Sequence, residues 1–87
     1  MTPSWRNRSQ LVGEVWHINV KGMQPPDPMI AILSLLEHMD PVRDVIVHHD
    51  RDPVYLFPEL NVRGWQARRI ENPDDEVCLL ITPYEGT

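Results

Sequence analysis

The strongest constraint on this chain is a repeated punctuation. An apolar run of strand character ends, an Asp-Pro step follows, and a second apolar run begins with a different period. The pattern occurs at Val15–Val20 before Asp27-Pro28, and again at Asp44–His49 before Asp52-Pro53. In the first run, apolar positions alternate with mixed ones, as in a half-buried strand. Trp16, Ile18 and Val20 are expected to face a core, with His17 and Asn19 on the other side. An Asp-Pro step suits a helix start, because the carboxylate accepts first-turn amides and proline has no amide to leave unbonded. Asp27 and Asp52 are therefore the predicted N-caps, with Pro28 and Pro53 as the first helical residues.

The first predicted helix carries Met29, Ile32, Leu33, Leu36 and Met39 at helical spacing and stops at Asp40-Pro41, since a residue before proline is biased out of helix. The second strand, Asp44–His49, is rich in β-branched residues. The second helix starts at Pro53 and carries Val54, Tyr55, Leu56, Phe57, Leu60 and Val62, with Pro58 kinking it or separating its first turn and Gly64 terminating it. Trp65–Ile70 and Glu76–Ile81 read as two strands joined by a turn at Glu71–Asp75. The order is β-α-β-α-β-β. Right-handed crossovers place both helices on one face of a mixed four-stranded sheet, giving an α/β (α+β) two-layer sandwich. Residues 1–13 read as a disordered N-terminal arm, 14–83 as a single domain and 84–87 as a short tail.

A chain of 87 residues holds one domain. Cys78 is its only cysteine, so no intrachain disulfide forms and the fold stands on its core, in keeping with a cytoplasmic protein. Eight basic residues are scattered among thirteen acidic ones, for a net charge of −5. A nucleic-acid binder needs a concentrated basic field, so that class is excluded. Met1–Arg6 lacks the apolar segment of a secretion signal, and no apolar run reaches membrane-spanning length.

The segment Gly22-Met23-Gln24-Pro25-Pro26-Asp27-Pro28 resembles the glycine-x-x-cysteine-proline-x-proline signature of the TusA/SirA family of small sulfur carriers. The resemblance extends over residues 15–82 and implies the same element order. Pro25 stands where that family keeps its cysteine, and proline cannot carry a persulfide. Together with His48-His49-Asp50-Arg51-Asp52-Pro53, Pro58-Glu59-Leu60 and Arg63-Gly64-Trp65, the loop more closely resembles a bacterial branch of that superfamily. The branch is known only as a domain of unknown function and commonly lacks the cysteine.

Parallel first and second strands bring their carboxyl ends to one edge, where open α/β sheets usually bind ligands. The expected crevice is formed by Lys21, Gly22, Gln24, Pro25, Pro26 and Asp27 on one lip and His48, His49, Asp50 and Arg51 on the other. Two helix N-termini there suit a small anion unless Asp27 and Asp52 occupy their amides. His17, His48, His49 and Asp50 form the densest set of candidate metal ligands, although adjacent strand residues point to opposite faces and the spacing matches no zinc signature. Tyr55, Phe57 and Trp65 are candidates for a partner surface at the crevice rim. Cys78 reads as a core or sheet-face residue, and His38 as a favourable charge at a helix C-terminus. Ser34 lies in a helix without a glycine elbow, so a Ser-His-Asp hydrolase is not supported. The reading is a non-catalytic binding or accessory module without a cofactor, holding a protein partner or a small anionic ligand. An accessory role in sulfur transfer or redox metabolism, implied by the resemblance, and a small histidine-based metal-binding protein are the alternatives.

Overall fold

The computed structural model describes residues 4–84. Its elements are α1 (Ser4–Arg8), β1 (Ser9–Val12), β2 (Val15–Asn19), α2 (Asp27–His38), β3 (Val45–His49), α3 (Leu56–Val62), β4 (Trp65–Arg69) and β5 (Val77–Pro83). The sheet order is β1-β2-β3-β5-β4, with β2 and β3 parallel and the other neighbouring pairs antiparallel. No helix among the described residues is long and apolar enough to cross a membrane.

The fold is the two-layer α/β sandwich expected, with five strands in place of four. Ile18, Val45, Val47, Leu79 and Ile81 come from alternate positions of β2, β3 and β5, and meet Ala31, Ile32 and Leu35 of α2 and Leu56 and Leu60 of α3 in one buried cluster. The intervening strand positions, including His17, Ile46, His48, Cys78 and Leu80, therefore occupy the opposite sheet face.

The extra strand comes from the segment read as an arm. β1 pairs antiparallel with β2, setting Ser9 against Ile18 and Gln10 against His17. Gly13, at φ 64°, makes the turn between them. Trp5 of α1 is buried and stacks on His38, with ring centroids 5.4 Å apart. Burial of one indole and pairing of the free β2 edge together hold the segment. Sequence reading missed it because a four-residue strand offers too little alternation to register. Residues 1–3 and 85–87, the ends of the predicted arm and tail, lie outside the described residues. Tyr84, also assigned to the tail, is tied in: its amide donates to the Gly64 carbonyl (2.9 Å) and its hydroxyl to Asn61 Oδ1 (2.5 Å).

Both predicted caps are displaced. Asp27 is inside α2, Pro26 occupies the N-cap position, and no side chain caps the helix. The Asp27 amide bonds the Gln24 carbonyl (2.8 Å) and the Ile30 amide bonds the Pro26 carbonyl (3.1 Å), which draws the start one residue earlier. Asp52 instead pairs with Arg69 (3.0 Å). A turn closed by the Leu56 amide on the Pro53 carbonyl (2.9 Å) delays α3 until Leu56. Pro58 thus falls in the first turn, where amides have no intrahelical acceptor and proline removes nothing.

At the other end of α3, Gly64 adopts φ 83° as the chain reverses into β4. A Cβ there would meet no atom within 4 Å, so the cost of a side chain is confined to the backbone. Gly64→Ala is expected to lower stability by about 1 kcal/mol, read as a shift of the urea midpoint at constant slope.

Candidate functional site

Of the two predicted lips, Pro25, Pro26, His49 and Arg51 line one cavity of about 590 Å³, while Gly22 and Asp50 lie outside its wall. Pro25, Pro26, Pro28 and Met29 form one wall, and Arg51 to Leu56 with Pro58 and Glu59 form the other. The wall is mostly apolar, and Tyr55, 80% exposed, stands at its rim. Phe57 is half-buried and Trp65 buried, so of the three aromatic candidates only Tyr55 is presented to solvent. A direct tie joins the lips: the Gly22 amide donates to Asp50 Oδ2 at 3.0 Å. That bond is the main reason the Asp50 carboxyl is held below its usual range.

His49 supplies the buried polar group of this cavity. It is the last residue of β3, faces the helices and is 2% exposed. The amides of Asp50 (2.9 Å) and Arg51 (3.2 Å) both donate to its Nδ1. Two donors on one nitrogen require that nitrogen to be an acceptor, so the ring is neutral with its proton on Nε2. The 3.3 Å approach of Asp50 Oδ1 to the same nitrogen is then a long contact and not an ion pair. Burial lowers the His49 pKa, and this outweighs the opposing pull of Asp50. Nε2 has no hydrogen-bond partner among the described residues, which leaves one buried donor for a ligand in a mostly apolar cavity.

Other predicted site residues lie elsewhere. Gln24 and Asp27 are exposed and outside the cavity wall. Lys21 reaches away to Asp75, with Nζ 2.6 Å from Oδ1. His48 points to the opposite sheet face, because its neighbour His49 takes the inner one. The predicted metal set of His17, His48, His49 and Asp50 is therefore divided by the sheet and cannot converge on one ion.

On the uncovered face, a different cluster forms. His17 Nδ1 lies 2.9 Å from His48 Nε2, and the two rings stack with centroids 5.2 Å apart. His48 Nδ1 lies 2.5 Å from Asp75 Oδ2. β5 sets Cys78 directly across from His48. The Asp75 side chain is 1% exposed. Burial alone would raise its pKa, but hydrogen bonds from Lys21 and His48 hold the carboxyl below its usual range. The Asp75 contact in turn raises the Lys21 pKa. Burial, aided by the Asp75 charge, pushes the Cys78 thiol up. Burial and the His48 charge lower the His17 pKa.

Sequence reading missed Asp75 and the role of Lys21, and left Cys78 as an isolated thiol. One signal was present. Val77, Leu79 and Ile81 alternate as core residues, which sends Cys78 to the face that His17 and His48 occupy. Placing β5 beside β3 required the tertiary structure, because β4 separates the two in the chain.

Site and fold describe a small two-layer α/β domain with an apolar cavity at one sheet edge and a histidine–carboxylate–thiol cluster on its bare face. Residues 17–83 match the model of a family described as uncharacterized conserved protein (DUF2249), and the chain belongs to that family. No curated protein and no solved structure matches it.

Proposed function

We propose that this protein is a non-catalytic binding module, working in the cytoplasm, whose cavity holds an apolar segment of a partner protein. The observation that carries the reading is the composition of the cavity: two proline-rich, mostly apolar walls around one buried imidazole with a free Nε2 donor. Ligand sites commonly combine an apolar lining with a few placed polar groups. A peptide segment meets both requirements, with apolar side chains for the walls and a backbone carbonyl for His49 Nε2. A small anion fits less well. Pro25, Pro26 and Pro28 remove three amides from the α2 entrance, and Asp52 and Glu59 stand nearby as acids.

An accessory role in sulfur transfer or redox metabolism, as the TusA/SirA-like loop implies, has less support. Cys78 is 3% exposed and burial raises its pKa, the opposite of what an attacking thiolate needs.

The test is amide-shift mapping with a neutral, end-capped leucine–proline peptide, with inorganic phosphate in a parallel titration. The peptide is expected to shift Met29, His49, Arg51, Asp52 and residues 54–56, and Tyr55→Ser to weaken it roughly tenfold, as loss of a rim aromatic anchor does. Shifts of the same amides by phosphate alone, or peptide shifts confined to β4 and β5, would discard the proposal.

A further inference from the structure

The cluster on the bare sheet face is separate from this cavity and carries a different chemistry. We infer that His48, Asp75 and Cys78 form a binding site for a zinc-class divalent transition metal ion. One donor atom from each residue, an imidazole nitrogen, a carboxylate oxygen and the thiol sulfur, falls within 4.8 Å of the other two. Nitrogen, oxygen and sulfur donors in one three-residue set suit zinc and its cobalt substitute. Three protein ligands leave a fourth tetrahedral position for water. A groove of about 590 Å³ beside the β4–β5 connection reaches Asp75 and Cys78 from solvent and supplies the entry path.

The groups around the ligands strengthen the assignment. With the ion on His48 Nδ1, the His48 proton moves to Nε2, which faces His17 Nδ1 at 2.9 Å and donates to it. Metal-bound histidines characteristically donate their second ring N–H in this way. Lys21 engages Oδ1 of Asp75 and leaves Oδ2, the oxygen beside His48, for the ion. The proton balance closes. Asp75 is already ionised. The Nδ1 proton of His48 passes to solvent, its Nε2 takes the Nδ1 proton of His17, and His17 takes one proton from solvent on its own Nε2, so this exchange nets to zero. The Cys78 thiol releases one proton to solvent and binds as thiolate.

Cobalt titration of the metal-free protein tests this directly. The expected result is one equivalent bound, with cobalt–thiolate charge-transfer absorption and the intense visible bands of four-coordination, displaced by zinc. Cys78→Ser should abolish the charge-transfer band. His17→Phe should keep the band and weaken cobalt binding about 10- to 100-fold, the loss typical of removing an outer-shell partner. Absence of the thiolate band in the unsubstituted protein overturns the proposal, as does binding that survives Cys78→Ser with an unchanged spectrum. If Cys78→Ser fails to fold, the spectrum of the unsubstituted protein decides alone, since an ion held by surface histidines gives no thiolate band.

Discussion

Leu79→Ala is expected to remove about 3 kcal/mol of stability, within the range of 2–5 kcal/mol typical for a fully buried leucine. Leu79 is 0% exposed in β5, paired with Val47 of β3 on one side and Arg69 of β4 on the other. A strand bonded on both edges has little freedom to move into the space a truncated side chain leaves, so the cavity term persists in full. For a domain of 87 residues, total stability is on the order of 4–13 kcal/mol. The substitution therefore takes a large part of it. Urea unfolding measures the effect, and Leu80→Ala, on the bare face and half-buried, serves as the comparison with a smaller loss. Equal losses at the two positions would mean that the two-faced assignment of β5 is wrong.

The second large effect concerns His49. Its Nδ1 holds the Asp50 and Arg51 amides, so His49→Ala removes a buried ring and strands two donors, with an expected loss of about 3 kcal/mol. The same contacts make the fold sensitive to acid. Burial lowers the His49 pKa below its ordinary 6.5, so the unfolded chain takes up a proton at a pH where the folded chain does not. Stability is therefore complete above about pH 6.5 and declines as pH falls toward the folded-state value, by at most about 1.4 kcal/mol per pH unit from this group. His17, also lowered, adds to the same limb. His49→Asn places an uncharged acceptor where Nδ1 stood. Melting temperatures across pH 5 to 8 should fall less steeply with acid in this variant than in the parent. Identical slopes would show that His49 does not titrate on unfolding.

Local rules made most of the sandwich legible. Alternation located β2 and β3 to within a residue, because each has one face against the helices. The apolar stripe located α2, whose buried residues Ala31, Ile32, Leu35 and Leu36 follow helical spacing. Long-range pairing decided what was missed. The N-terminal segment is ordered by contacts with β2 and His38, neither of which its own composition announces. Asp27 and Asp52 carry good capping chemistry, yet the first was absorbed into its helix and the second was taken by Arg69. The cavity was legible because parallel strands force their carboxyl ends together. The Lys21–Asp75–His48 connection was not, because residue 75 lies in a turn whose place over the sheet depends on β5 entering beside β3.

The adjacent histidines at the end of β3 have a consequence for how this strand finds its place. A slip by one residue would invert both rings at once. His49 would be turned out from its buried place beneath the helices, and His48 would be driven under them, away from its carboxylate. Each error is penalised on a different side of the sheet, so neither layer could compensate for the other. One peptide unit thus acts as an alignment key for the central parallel pair.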